Sequence, residues 1–319
     1  MTKAIVIGAT GHIGTYLVPR LVEAGYEVVA VSRGKRPPYR DNAAWSSVER
    51  ITLDREKLES EGTFGTTIAE LNSDIVIDLF CFTLPSAKQL VAALRGRVSH
   101  FIHVGTIWTH GRSTVVPTRE EAPKHPFGEY GIQKRAIETF LHDAVQRERI
   151  PATVLHPGHI VGPGWLPVNP AGNFNPKVFS MLARGEPVTL PNFGMETVHH
   201  VHADDIARLC LAALAHRSQS VGESFHAVSE GAVTLSGFAE AAANWFGNSA
   251  NLNFLPYDEW SQNQQTEDAK ATWEHIVRSP NCSMDKARRL LDFRPRYSSL
   301  AAVQEAVQWL VADGQVQTT

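Results

Sequence analysis

The sequence predicts an α/β protein, a doubly wound parallel sheet with a smaller C-terminal substrate-binding region. Three observations predict it. The β-branched runs Ala4–Ile7, Glu27–Val31, Asp74–Asp78 and His100–Val104 are apolar almost throughout, as strands covered on both faces must be. Segments with helical spacing, Ile13/Leu17/Leu21 and Leu84–Arg95, lie between them, and strand, helix, strand at this interval implies parallel crossovers. The 319 residues suffice for one large α/β unit and an appended part.

The first strand runs into Gly8-Ala9-Thr10-Gly11-His12-Ile13-Gly14, which opens the first helix. Glycines at these three places permit a tight turn, close approach of backbone to a pyrophosphate, and close helix-to-strand packing, while the helix N-terminus attracts phosphate. A strand-loop-helix at this point of a βαβ unit marks the sheet as Rossmann type and the loop, Gly8, Thr10, Gly11, His12, Ile13 and Gly14, as a dinucleotide site. Pro19 falls inside the first helix, where it removes one hydrogen bond and should bend the helix.

Cofactor choice is read at the end of the second strand, Val31-Ser32-Arg33-Gly34-Lys35-Arg36. A carboxylate there would bind a ribose 2′-hydroxyl; cations would pair with a 2′-phosphate. With no acid and three cations present, NADP is favoured over NAD, Arg33 and Ser32 making the contacts. The alternative is a solvated basic loop. Asp54, after the third strand, either meets the adenine or caps the next helix. A further cofactor contact is expected from Phe80, beyond the fourth strand.

Thr106 follows the fifth strand at the carboxyl edge, where open α/β sheets bind ligands. Tyr130 and Lys134 begin the next helix one turn apart and share a face. A Lys cation beside a phenol of reference pKa about 10 favours the phenolate. Such a pair suits general acid/base work at a carbinol or carbonyl carbon while a nicotinamide exchanges hydride with it.

After Pro151 a strand, Ala152–Leu155, enters a Pro- and Gly-rich stretch from His156 to Pro176, a stiffened loop of the kind that lines a site. A helix is predicted from Ala203, a strand over Ser224–Val228, an exposed or mobile polar stretch over Ser261–Lys270, and a helix near Ser283–Leu291 capped by Ser283. His199, His200 and His202 admit a metal reading. Strand alternation sends 200 and 202 to one face and 199 to the other, with no cysteine nearby, so hydrogen bonding is favoured and no metal is assigned. Trp108, Trp165 and Phe174 could wall a substrate pocket or pack as core.

These features together resemble the extended short-chain dehydrogenase/reductases, the NAD-dependent epimerase/dehydratase family, nearly end to end. The resemblance rests on the Gly8/Gly11/Gly14 loop, Thr106, Tyr130 and Lys134, the segments His156-Pro157 to Gly162-Pro163 and Val201-His202-Ala203-Asp204-Asp205, and Leu291–Pro295. It implies catalysis by Thr106, Tyr130 and Lys134, with Lys134 also on the nicotinamide ribose and His156, Gly158 and His159 beside the nicotinamide. Nucleotide-sugar members usually carry an Arg where Val198 falls, and a second Arg near Trp273–Arg278; an apolar Val cannot neutralise a diphosphate.

The expectation is therefore an NAD(P)-dependent oxidoreductase or epimerase for a sugar-like or other hydroxy/keto molecule. The alternatives are a nucleotide-sugar epimerase/dehydratase and a non-catalytic NADP-binding scaffold or redox sensor. Residues 1–165 and about 197–230 are assigned to the dinucleotide-binding domain, and about 166–196 and 231–319 to the substrate-binding region. A net charge of −3 with no basic block argues against nucleic acid or an anionic membrane as partner. Three unpaired, widely spaced cysteines and the lack of an apolar run of bilayer length point to a cytoplasmic protein. A small molecule is the expected partner, and a homodimer is compatible with the sequence.

Overall fold

The computed structural model describes residues 1–319. The N-terminal half alternates strand and helix: β1 (Lys3–Ile7), α1 (Gly14–Glu23), β2 (Glu27–Ser32), β3 (Glu49–Thr52), α2 (Arg55–Ser60), α3 (Phe64–Glu70), β4 (Ile75–Asp78), α4 (Leu84–Leu94), β5 (His100–Val104), α5 (Glu129–Glu148) and β6 (Ala152–Pro157). Next come β7 (His159–Val161), α6 (Lys177–Ala183), β8 (Val188–Pro191), β9 (Thr197–Val198), β10 (His200–His202), α7 (Ala203–Ala215), α8 (Arg217–Ser220) and β11 (Ser224–Ala227). The chain ends with β12 (Val233–Thr234), α9 (Leu235–Asn244), β13 (Leu252–Leu255), α10 (Tyr257–Gln262), α11 (Thr266–Ile276), α12 (Asp285–Leu291) and α13 (Ser299–Ala312).

The central sheet has seven parallel strands in the order β3-β2-β1-β4-β5-β6-β11. The order in which the chain adds strands reverses between β1 and β4, with β2 and β3 laid to one side of β1 and β4 onward to the other. In register, Ile7 pairs with Val31 on one side and Asp78 on the other, so these carboxyl ends lie level and open a crevice at the switch point. The apolar strands follow from coverage on both faces: Ala4 and Val6 enter one core with Leu17, Leu21 and Leu209, while Ile5 and Ile7 enter another with Phe64, Leu90 and Leu141. A third core gathers Phe179, Leu190, Phe238, Trp260, Val303 and Leu310 from the later elements.

Pro19 lies inside α1, which nevertheless continues to Glu23. The exposure expected of Ser261–Lys270 is found, on helices. The stretch spans the end of α10 and the first turns of α11, largely exposed, and its polar residues cover the solvent face while Trp260 and Ile276 at its flanks are buried. The loop after β7 is stiffened by side chains: Asn169 accepts from the Ala171 and Asn173 amides and donates to Asn173 Oδ1, and Asn173 Nδ2 donates to Thr272 of α11. No helix is long and apolar enough to cross a membrane.

Candidate active site

Two adjoining clefts open at the carboxyl edge of the sheet. The first, about 360 Å³, lies between the glycine loop and the ends of β2 and β4. Gly8 has φ +86°, a value L side chains avoid, and its amide donates to Val31 O at 2.9 Å. A Cβ on Gly14 would stand 2.1 Å from Ala9 O, so only glycine lets α1 seat on the loop. No side chain caps α1 and no acid occupies its first turn, leaving amides for an anion.

Gly8, Thr10 and Gly11 line this cleft, as do Ser32, Arg33, Lys35, Arg36 and Phe80. Arg33 lies 5.6 Å from the Phe80 ring centre. Arg55, which the sequence reading missed, also lines it. Its guanidinium holds Asp78 at 2.8 Å and 3.1 Å and reaches Phe80 O, fixing the floor. A carboxylate at the end of a buried strand required such a partner, and that was the available signal. Asp54 resolves to the capping reading: Oδ1 accepts from Lys57 N at 3.2 Å, and the residue does not line the cleft.

The second cleft, about 560 Å³, is bordered by Thr106, Tyr130, Gly158, His159 and His275, with Trp108, Trp165 and Phe174 as apolar wall. His12 of the glycine loop, next to Gly11 of the first cleft, lines it too. Its ring stacks on Trp165 at 3.9 Å and 6°, and Nε2 meets the Tyr39 hydroxyl at 3.0 Å. Burial, then the nearby Arg36 cation, push the His12 pKa down to about 4, so the imidazole is neutral. Ile13 and Gly14 border neither cleft.

Thr106 caps a short 3₁₀ turn, Ile107–His110, its Oγ1 accepting from Trp108 N at 3.3 Å. Tyr130 enters on the first turn of α5 and exposes 40% of its surface. Burial of the hydroxyl end raises the phenol pKa, against a hydrogen bond with Thr106 that lowers it. Lys134 is buried beneath, donating from Nζ to Val104 O at 2.6 Å and lying 5.8 Å from the Tyr130 ring centre. Burial lowers its pKa to about 8, although Cys81 and Asp78 pull upward. In the resting geometry Lys134 makes no hydrogen bond to the phenol. The ammonium is turned to a carbonyl, and the phenol stays protonated, ready to donate.

Other residues named from sequence fall elsewhere. His156, on β6, is fully buried and lines neither cleft, with each ring nitrogen engaged. His199 lies between Ser229 O and the Cys282 amide, His200 on Val168 O, and His202 caps α7 through Asp204 N while stacking on Tyr297 at 4.1 Å. Hydrogen bonding and packing occupy all three. Asp78, Cys81 and His103 bring donor atoms within 4.8 Å of one another, but Arg55 already holds Asp78 and burial raises the Cys81 thiol to about 11. Val198 is buried, and Arg278 is stacked on Trp108 at 3.8 Å and bound to Glu274. Lys270, set between Glu267 and Glu274 on α11, is the one Lys or Arg lining the second cleft.

A parallel sheet with a glycine loop at its switch point, and a Tyr, Thr and buried Lys at the same edge, defines a dinucleotide-binding enzyme. The chain belongs to the NAD dependent epimerase/dehydratase family, whose model matches residues 4–81 and 83–227. It is 25% identical to the 2′-dehydrokanamycin reductase of Streptomyces kanamyceticus over 98% of this chain and 86% of that one. It is also 25% identical to the chloroplast stem-loop binding protein of 41 kDa b of Arabidopsis thaliana, over 76% of this chain and 62% of that protein. In fold it matches the UDP-glucuronic acid 4-epimerase of Bacillus cereus, solved with NAD, at TM-score 0.74 and 20% identity over 98% and 99% of the two chains.

Proposed function

We propose that the chain is an NADP(H)-dependent reductase or epimerase acting at a carbonyl or carbinol carbon of a sugar-like molecule that carries no nucleotide. One observation carries the reading: His12 of the dinucleotide loop, the Tyr130 phenol and Thr106 border a single cleft. When bound, the nicotinamide supplies or accepts the hydride. In the reducing direction Tyr130, neutral here, donates its proton to the carbonyl oxygen, and the Thr106 hydroxyl donates a hydrogen bond to the same oxygen. The Lys134 ammonium beneath them favours the negative charge left on the phenol.

NADP over NAD is supported by Arg33, Lys35 and Arg36 in a cleft whose sole lining carboxylate is Glu56. A substrate without a diphosphate is supported by the second cleft, where the sole cation stands between two carboxylates. The relative named for reduction of 2′-dehydrokanamycin, rather than of a nucleotide-linked sugar, supports the same side. The rival reading, a cofactor-binding scaffold without turnover, has in its favour the relative named as a stem-loop binding protein. It leaves the Thr106/Tyr130 pairing without a use.

The test is a screen of NADPH consumption over free keto-sugars, keto-aminocyclitols and UDP- or dTDP-linked keto-sugars. Turnover confined to compounds without a nucleotide is expected. Preference for the nucleotide-linked set would overturn the substrate reading, and cofactor binding with no turnover, including no epimerised product, would favour the scaffold.

A further inference from the structure

His156 is wholly buried on β6, yet it touches the Thr106 turn directly: its Nδ1 accepts from Thr106 N at 3.1 Å. Its Nε2 lies 2.8 Å from Oε1 of Glu138. Glu138, also without exposure, sits on α5, the helix that carries Tyr130 and Lys134. The carboxylate is held by Lys124 Nζ at 2.5 Å, Arg135 Nη1 at 2.7 Å and Ser224 Oγ at 2.8 Å. Burial alone would neutralise it; these donors and His156 outweigh burial and keep it charged.

The tautomer follows from the partners. A carboxylate oxygen only accepts, so Nε2 must carry the hydrogen; an amide only donates, so Nδ1 must present its lone pair. A neutral imidazole satisfies both, and burial, against the pull of Glu138, lowers the His156 pKa in agreement. The contact is close because residue 105 has no side chain: a Cβ on Gly105 would stand 2.5 Å from His156 Nδ1.

We propose that Glu138 and His156 form a positioning relay that ties the Thr106 turn to the Tyr130 helix, holding the two groups that meet the substrate oxygen in one geometry. The relay rests on the proposed role of Thr106 and Tyr130. It assigns His156 as a positioning residue, acting through Thr106 and never touching cofactor or substrate.

Two replacements separate its halves. In His156→Asn, Oδ1 takes the place of Nδ1 and still accepts from the Thr106 amide. In His156→Gln, the longer side chain reaches Glu138 and leaves that amide unpaired. Hydrogen exchange resolved at Thr106 should match wild type in the Asn variant and quicken by about tenfold or more in the Gln variant. On a carbonyl compound turned over by wild type, kcat should fall by about tenfold to hundredfold in both variants with NADPH affinity unchanged, since each cuts one end of the relay. Equal exchange in both variants, or full kcat in a Gln variant whose Thr106 amide is unprotected, would overturn the relay. On the wild-type protein, ¹⁵N-histidine spectra should give His156 as the Nε2–H tautomer, and the Nδ1–H form would overturn it regardless of how the variants fold. Absence of turnover in wild type would count against the proposed function instead, while the exchange and tautomer data still decide the anchor.

Discussion

Lys134 Nζ donates to the Val104 carbonyl, and burial brings its pKa down to about 8. The cation is present below that value and lost above it, so activity that depends on it falls as pH rises through 8. The predicted kcat/KM profile has an alkaline limb near pH 8, displaced upward by at least a unit in Lys134→Arg, since guanidinium does not deprotonate in this range. A limb unmoved by that change would remove Lys134 from the mechanism. Arg33 makes the other prediction at this scale. Arg33→Ala should weaken NADPH binding by about tenfold or more and leave NADH binding nearly unchanged, as titrated by tryptophan fluorescence; equal binding of both cofactors by wild type would contradict it. The trio Thr106, Tyr130 and Lys134 was legible because a strand end and a one-turn spacing are local patterns. The direction of Lys134 was not, because its acceptor belongs to a different element.

Elements were legible wherever one rule dominated. Apolar runs became β1, β2, β4 and β5, and the glycine loop became the mouth of a cleft. Ser261–Lys270, expected to be exposed or mobile, is exposed on helices that show solvent a polar face, and their burial rests on Trp260 and Ile276 outside the polar run. The second cleft was only partly legible, since His275 of α11 reaches it from far along the chain. Gly14→Ala tests the glycine reading. Alanine is the better helix former by about 0.8–1.0 kcal/mol, yet its Cβ would meet Ala9 O at 2.1 Å. The clash should win, with urea unfolding showing a net loss of about 1–3 kcal/mol and weaker NADPH binding. A stabilised variant would show that the close packing is not needed.

At the scale of the whole molecule, the distribution of histidine stands out: ten of the fourteen are buried. His199 and His275 are brought to about 4 and His200 to about 3, in each case first by burial. A folded pKa below the unfolded value of about 6.5 means the unfolded chain binds more protons between those values. Stability from these groups is therefore full above pH 6.5 and lost as pH falls toward 4. One imidazole shifted by two to three units is worth about 3 kcal/mol, so several together rival the stability of a domain. Urea unfolding should be nearly flat from pH 7 to 8 and drop by at least about 3 kcal/mol between pH 7 and pH 5. A change under about 1 kcal/mol would show that the imidazoles are not held neutral.

The account turns on a protonated Tyr130 at the edge of the cleft that His12 shares. Its most direct test is Tyr130→Phe, assayed for turnover of a carbonyl compound accepted by wild type and, separately, for NADPH affinity. The phenyl ring keeps the shape and loses only the proton donor, so turnover should fall by about 10²–10⁴-fold while the affinity stays within about threefold. A Phe variant that retains wild-type turnover would contradict the account.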